Sequence, residues 1–172
     1  NKVALVTGGS KGIGFGIASS LASEGVGIVL LSRDLKSLNT AKEKIINNGG
    51  NVLEIIEADL SDPLIDKVVE KKLNLKKIIP DILVNNSGGP PFGTYLEHNK
   101  EIWNKYFDQN LLSIIKLVSL LTKDMTKKKW GRVINVTSTN AIEPSSEIVI
   151  SSTLRSAVAA FSKSVSLTLA KT

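Results

Sequence analysis

The chain has 172 residues, 42% of them hydrophobic and 22% charged, which suits one folded domain with a sizeable core and excludes a disordered segment. It has no cysteine and one histidine, so disulfides, a thiol nucleophile, cysteine-ligated zinc and a multi-histidine metal site are all excluded. The formal net charge of +6 is spread along the chain; with no apolar run of membrane-spanning length, we expect no metal, no nucleic acid, no membrane partner and a cytoplasmic location.

Val3-Ala4-Leu5-Val6 reads as a first strand, apolar without alternation as in a parallel sheet covered on both faces. Thr7-Gly8-Gly9-Ser10-Lys11-Gly12-Ile13-Gly14 follows as a glycine-rich turn, and Ile13, Ile17, Ala18, Leu21 and Ala22 continue at helical spacing. Strand, glycine turn and helix in that order aim unpaired backbone N–H groups and a helix N-terminus at one point, where a phosphate can sit. A second apolar strand, Ile28 to Leu31, ends at Ser32-Arg33-Asp34. Leu35, Leu38, Ala41 and Ile45 then mark a helix that stops at Asn48-Gly49-Gly50.

The third strand, Val52 to Ala58, is followed by Asp59-Leu60, and Ser61-Asp62-Pro63 reads as a helix cap before Leu64, Val68, Val69 and Leu73. Pro80 precedes strand four, Ile82 to Val84, which runs into Asn85-Asn86-Ser87-Gly88-Gly89-Pro90-Pro91. His98 lies in a polar stretch and is expected at the surface. One long helix is expected from about residue 99 to 128, with Ile102, Tyr106, Leu111, Ile115, Val118 and Leu121 on its apolar side. The run Lys127-Lys128-Lys129 reads as its solvated end, complementing the helix dipole. Gly131 stops that helix, Val133 to Val136 is strand five, and Thr137-Ser138 follow it. A loop with Pro144 leads to a last helix bearing Leu154, Val158, Phe161, Val165 and Leu169. Strands alternating with helices predict an α/β fold, a doubly wound parallel sheet of Rossmann type with helices on both faces. In such sheets ligands bind beyond the carboxyl ends of the strands, where the unusual residues of this chain collect.

These motifs together resemble the short-chain dehydrogenase/reductase family, particularly its branch of 3-oxoacyl-[acyl-carrier-protein] reductase-like proteins, over nearly the whole chain. Residues 7–14 are similar to the family's cofactor turn, which implies that Gly8, Ser10, Gly12, Ile13 and Gly14 cradle a pyrophosphate. Asp59 and Leu60 resemble the adenine contact, and Asn86, Ser87 and Gly88 the segment lining the nucleotide cleft. Asn110 stands in the place of the helix asparagine that holds a water, and Ser138 in that of the serine that orients the substrate oxygen. The resemblance implies a single dinucleotide-binding domain, 1–172, interrupted before its last strand and before the segment that shapes the substrate pocket. It also implies a homo-oligomer pairing through the long helix and the last helix.

NADP is expected over NAD. An NAD site wants a carboxylate at the end of the second strand; here Ser32 holds that place and Arg33 follows, a cation suited to a 2′-phosphate. Lys11 adds a second cation, whereas Asp34 is placed to pair with Arg33. The departure from the family lies in the last helix, where the family's Tyr-x-x-x-Lys is represented by Ser151-Ser152-Thr153-Leu154-Arg155. A serine hydroxyl is a far weaker acid than a phenol, and arginine stays protonated, so direct proton donation is poor. A water ordered by Ser138, Ser151 and Asn110 beside the Arg155 field, or Glu143, Glu147 or Tyr95 from a loop, would have to supply the proton. Two functions follow: an oxidoreductase moving a hydride between NADP(H) and a carbonyl or secondary alcohol with altered proton delivery, Arg155 holding the nicotinamide ribose, or a catalytically silent dinucleotide-binding protein that acts as a sensor or subunit partner.

Overall fold

A computed structural model describes residues 2–171. Five parallel strands form one sheet: β1 (Val3–Thr7), β2 (Gly27–Ser32), β3 (Asn51–Glu57), β4 (Ile82–Asn85) and β5 (Arg132–Asn135), in the order β3-β2-β1-β4-β5. The chain winds outward from β1 to β3, crosses back over the sheet and resumes at β4, so β1 and β4 are neighbours whose connections leave in opposite directions. That reversal opens a crevice at their carboxyl ends.

Alternation along the strands builds two cores. Ala4, Val6, Ile28 and Leu30 turn to one face, under α1 (Gly12–Ser23) and α2 (Leu35–Asn47). Leu5, Val29, Leu31 and Leu83 turn to the other, under α3 (Ile65–Lys76), α5 (Ser113–Lys127) and α6 (Val149–Leu169). The central strands are apolar throughout because both faces are covered; β3 and β5, at the edges, are only partly buried.

The long helix departs from expectation. It is α4 (Lys100–Phe107), then a wide π-turn (Asp108–Leu112), then α5. The extra residue of a wide turn rotates everything after it: Ile114, Leu117, Val118, Leu121 and Met125 are buried, while Ile115 is only half-buried. The same turn drives Gln109 and Asn110 inward, to 5% and 1% exposure. Two further expectations are corrected. Helix α3 starts at Ile65, not at Pro63; the Asp62 carboxylate accepts from Leu64 N at 2.8 Å and so turns the chain before the helix begins. His98 is half-buried, its Nε2 wholly so, because the ring packs on the backbone of Gly93.

At the amino end of the sheet, Lys128 is not merely solvated, because Asp81 lies within its reach. Lys128 Nζ donates to Asp81 Oδ1 at 3.0 Å, Lys2 stands 3.8 Å from the same oxygen, and Val3 N donates to Asp81 Oδ2 at 3.0 Å. Burial alone would raise the Asp81 pKa, but the Lys128 and Val3 hydrogen bonds and the two ammonium charges outweigh it and hold it below the ordinary carboxylate value. Among the described residues no helix is long and apolar enough to cross a membrane, and no three His, Asp or Glu side chains cluster as a metal site.

A depressed acid stabilises the fold above its unfolded pKa and loses that contribution as pH falls through the folded one. Asp81→Asn should therefore lower stability by about 1–3 kcal/mol at neutral pH. In urea titrations the gap between wild type and variant should be full above about pH 4 and close as the pH falls further.

Candidate functional site

The glycine turn is held to the crest of β4 by its own side chains and backbone. Thr7 Oγ1 donates to Asn86 O and accepts from Asn86 N, both at 2.8 Å. Asn86 Nδ2 reaches back to the carbonyls of Thr7 and Gly8, each at 3.4 Å. A Cβ on Gly8 would stand 2.6 Å from Asn86 Nδ2, and one on Gly14 would strike the Gly8 carbonyl. Gly12 is open to solvent but adopts φ +55°, a left-handed backbone that favours glycine. Of the glycines in this turn, Gly8 and Gly14 are thus required by packing against β4 and the turn itself, independently of any ligand.

Beside this turn lies a cleft of about 250 Å³. Gly8, Ser10, Lys11, Ser32, Arg33, Asp59, Leu60, Asn86, Ser87 and Gly88, all singled out in the sequence, line it. Gly12, Ile13 and Gly14 form the first turn of α1 next to it and are not in its wall. Leu31, Ala58 and Gln109 also line it and were not anticipated; the one sequence signal for Gln109 was its place beside Asn110.

The cleft is basic at the end of β2. Ser10 Oγ and Ser32 Oγ are hydrogen-bonded at 2.9 Å, and Lys11 is exposed at the start of α1. Arg33 pairs with Asp59 at 3.7 Å rather than with Asp34. Asp34 is instead the N-cap of α2: its carboxylate accepts from Ser37 N at 2.7 Å, and the bonds from Ser37 hold its pKa below the ordinary value. At Asp59 partial burial pushes the pKa up, but Ser61 N and Oγ both donate to its Oδ1 and Arg33 adds its charge, so the net shift is downward. Asp59 is therefore a fixed carboxylate that leaves much of the Arg33 guanidinium exposed.

At the opposite end of the cleft the π-turn delivers its amides. Gln109 Nε2 donates to Gly88 O at 3.0 Å, and Asn110 Nδ2 donates to Ser87 Oγ at 3.0 Å and Gly88 O at 3.1 Å. Arg155, 6% exposed, meets the same group from α6: its terminal nitrogens donate to Val136 O at 2.9 Å and, at 3.4–3.5 Å, to Ser87 Oγ and O. No carboxylate pairs with it among the described residues, and burial lowers its pKa from the ordinary arginine value. Asn110 and Arg155 therefore converge on Ser87, but neither is in the cleft wall.

Ser138 is less available than expected. It caps the 3₁₀ turn Thr139–Ala141, its hydroxyl donating to Asn140 Oδ1 at 3.0 Å and accepting from Asn140 N at 3.2 Å. Helix α6 packs on that turn, with Ser156 Oγ donating to Ala141 O at 2.8 Å. Ser151 is half-buried, one turn before Arg155 on the same helix face, and its hydroxyl makes no hydrogen bond with another described residue. Tyr95, Glu143 and Glu147 are all exposed. Ser138, Ser151, Asn110 and Arg155 thus lie around the crests of β4 and β5, with no side chain that titrates near neutral pH among them.

Residues 2–172 match the short chain dehydrogenase family. The chain is 32% identical over 170 residues to 3-oxoacyl-[acyl-carrier-protein] reductase of Aquifex aeolicus, covering 98% of itself and 68% of that protein. It is 30% identical over 174 residues to an uncharacterized oxidoreductase of Staphylococcus saprophyticus, covering 100% of itself and 74% of the relative. The structure of L-sorbose reductase from Gluconobacter frateurii, complexed with NADPH and L-sorbose, superposes with a TM-score of 0.93 at 31% identity, over 99% of this chain and 65% of that one. The chain therefore spans about two thirds to three quarters of the length of these relatives.

The packing of the glycine turn makes a test. Gly14→Ala should cost about 1–3 kcal/mol of stability by overpacking against the Gly8 carbonyl. Gly16→Ala, where an added Cβ meets nothing within 4 Å, should instead stabilise by about 0.5–1 kcal/mol; denaturant midpoints of the two variants, shifted in opposite directions, check the pair.

Proposed function

Because the chain belongs to the short chain dehydrogenase family, we propose that it binds NADP(H) in the cleft at the β1–β4 crevice and acts as an oxidoreductase on a carbonyl or secondary alcohol, in the manner of a 3-oxoacyl reductase. The observation that carries the cofactor choice is the end of β2: Ser32 where an NAD site wants a carboxylate, with Arg33 and Lys11 in the same wall. A 2′-phosphate fits there, because Asp59 is already engaged by Ser61 and the Arg33 side chain is 60% exposed. The pyrophosphate fits against Gly8, Ser10 and the first turn of α1, whose backbone N–H groups are unpaired at a helix N-terminus. When bound, the cofactor supplies or accepts the hydride.

The chain's own residues do the rest. Asp59 and Leu60 take the adenine side, and Asn86, Ser87, Gly88 and Gln109 hold the far end of the cleft. Arg155 keeps a permanent positive field behind that end, which favours negative charge developing on a substrate oxygen. It cannot pass a proton. Ser151, whose hydroxyl is uncommitted, positions the donor, a water shared with Ser138, and Asn110 steadies the segment from below. The two outward-facing residues Phe107 and Leu167, 42% and 60% exposed, suit pairing of α4 and α6 with a second copy of the chain.

A second reading rests on the same helix face. With Ser151 and Arg155 in the donor positions and Tyr95, Glu143 and Glu147 at the surface, the protein would hold the dinucleotide without turning it over and serve as a sensor or subunit partner.

Titration of NADPH fluorescence tests the cofactor assignment. Arg33→Ala should weaken NADPH roughly tenfold or more and leave NADH within a factor of about two, as expected for losing one charge-assisted contact to the 2′-phosphate. Equal weakening of both would remove Arg33 from that role. Turnover of ketones or 3-oxoacyl thioesters by the unaltered protein separates the two readings. Under the second, activity appears only in the double variant Ser151→Tyr/Arg155→Lys, which restores a titratable donor with an adjacent cation.

A further inference from the structure

Hydrogen-bond accounting at Ser87 assigns that residue a definite part in binding. Its hydroxyl oxygen lies 3.0 Å from Asn110 Nδ2 and 3.4 Å from Arg155, both of which can only donate to it. The orientation of the Asn110 amide is itself determined, since the same Nδ2 donates to Gly88 O and Oδ1 accepts from Gln109 Nε2. Ser87 Oγ is therefore an acceptor twice over, and its two lone pairs are spent. The proton has to leave in the one remaining tetrahedral direction, and no acceptor for it exists among the described residues. Ser87 lines the cleft, at the end away from Arg33 and Asp59.

We propose that the Ser87 hydroxyl is a pre-oriented donor to the bound dinucleotide, its proton turned into the cleft by Asn110 and Arg155, and that it takes a ribose oxygen of the nicotinamide half. This rests on the dinucleotide reading above. The buried guanidinium polarises the O–H bond, so Arg155 acts through Ser87 as a positioning residue while remaining out of the cleft wall. The arrangement costs little at the moment of binding, because both lone pairs are already occupied and the donor has no protein partner to give up.

The test separates the two ends of the ligand. Binding of NADPH and of adenosine 2′,5′-bisphosphate, which carries only the adenine half, is measured calorimetrically for wild type and Ser87→Ala. The expected result is a loss of about tenfold for NADPH with the bisphosphate unchanged, a selectivity that a merely structural role would not produce. Ser87→Cys, which fills similar space with a weak donor, should show the same selective loss and decides the matter if the alanine variant does not fold. Equal weakening of both ligands, or no change in either, overturns the assignment. If wild type binds neither ligand, the dinucleotide reading fails and takes this assignment with it; if wild type binds both and the variants show no selectivity, only Ser87 is at fault.

Discussion

The structure depends on a close approach between two backbones. The glycine turn after β1 lies so near the crest of β4 that Asn86 can hydrogen-bond Thr7 and Gly8 at once, and no side chain fits between them. This contact spans nearly eighty residues of sequence and ties the first half of the winding to the second at the point where the strand order reverses. Everything that makes the cleft follows from it. The turn is pinned on one side, α1 begins at a fixed place, and the crest of β4 is free to present Ser87 and Gly88 on the other.

A second constraint is electrostatic. The far end of the cleft is backed by donors: two amides from the π-turn and a guanidinium from α6, all aimed at the few oxygens of residues 87, 88 and 136. Carbonyl oxygens and one hydroxyl satisfy part of this demand, and no carboxylate among the described residues joins them. Such a region holds a positive potential at low dielectric, where it acts on nearby charge more strongly than at the surface. At the near end the same sign recurs through Arg33 and Lys11, but there it is moderated by Asp59 and by water. The two ends differ in how firmly their charge is fixed, not in its sign.

Much of this was legible from residue order. The unbroken apolar runs of β1 and β2 mark strands covered on both faces, and the polar residues that end each strand mark the functional edge. The π-turn was not legible, because Asp108 to Leu112 have an ordinary helical composition and the widening depends on what packs beneath. With it went Gln109 and the phase of Ile114 and Ile115. The partners of the charged side chains were equally out of reach. Asp34 stands next to Arg33 in sequence, but the start of α2 needs its carboxylate as a cap, and Arg33 finds Asp59 beyond the end of the neighbouring strand instead. Lys128 looks like one of three solvated lysines until Asp81 is placed under it. Of the residues that the family resemblance points to, Ser138 follows β5 and Arg155 reaches the backbone at its end, while Ser151 lies one turn earlier on α6. Their hydrogen bonds, notably the commitment of Ser138 to Asn140, depend on tertiary packing that residue order does not carry.

The widened turn between α4 and α5 has a mechanical meaning as well. A helix of uniform pitch presents one continuous seam, so α5 could not grip the sheet while α4 and the residues above it face elsewhere. One surplus residue decouples the two halves, like a slipped tooth between meshed gears, letting α5 keep its packing under the sheet while the amides of 109 and 110 swing round to the ligand end. The binding edge is thus indexed to the hydrophobic body by a count of residues, and an alteration in that count within the segment would turn either the amides or the apolar face of α5 away from its partners.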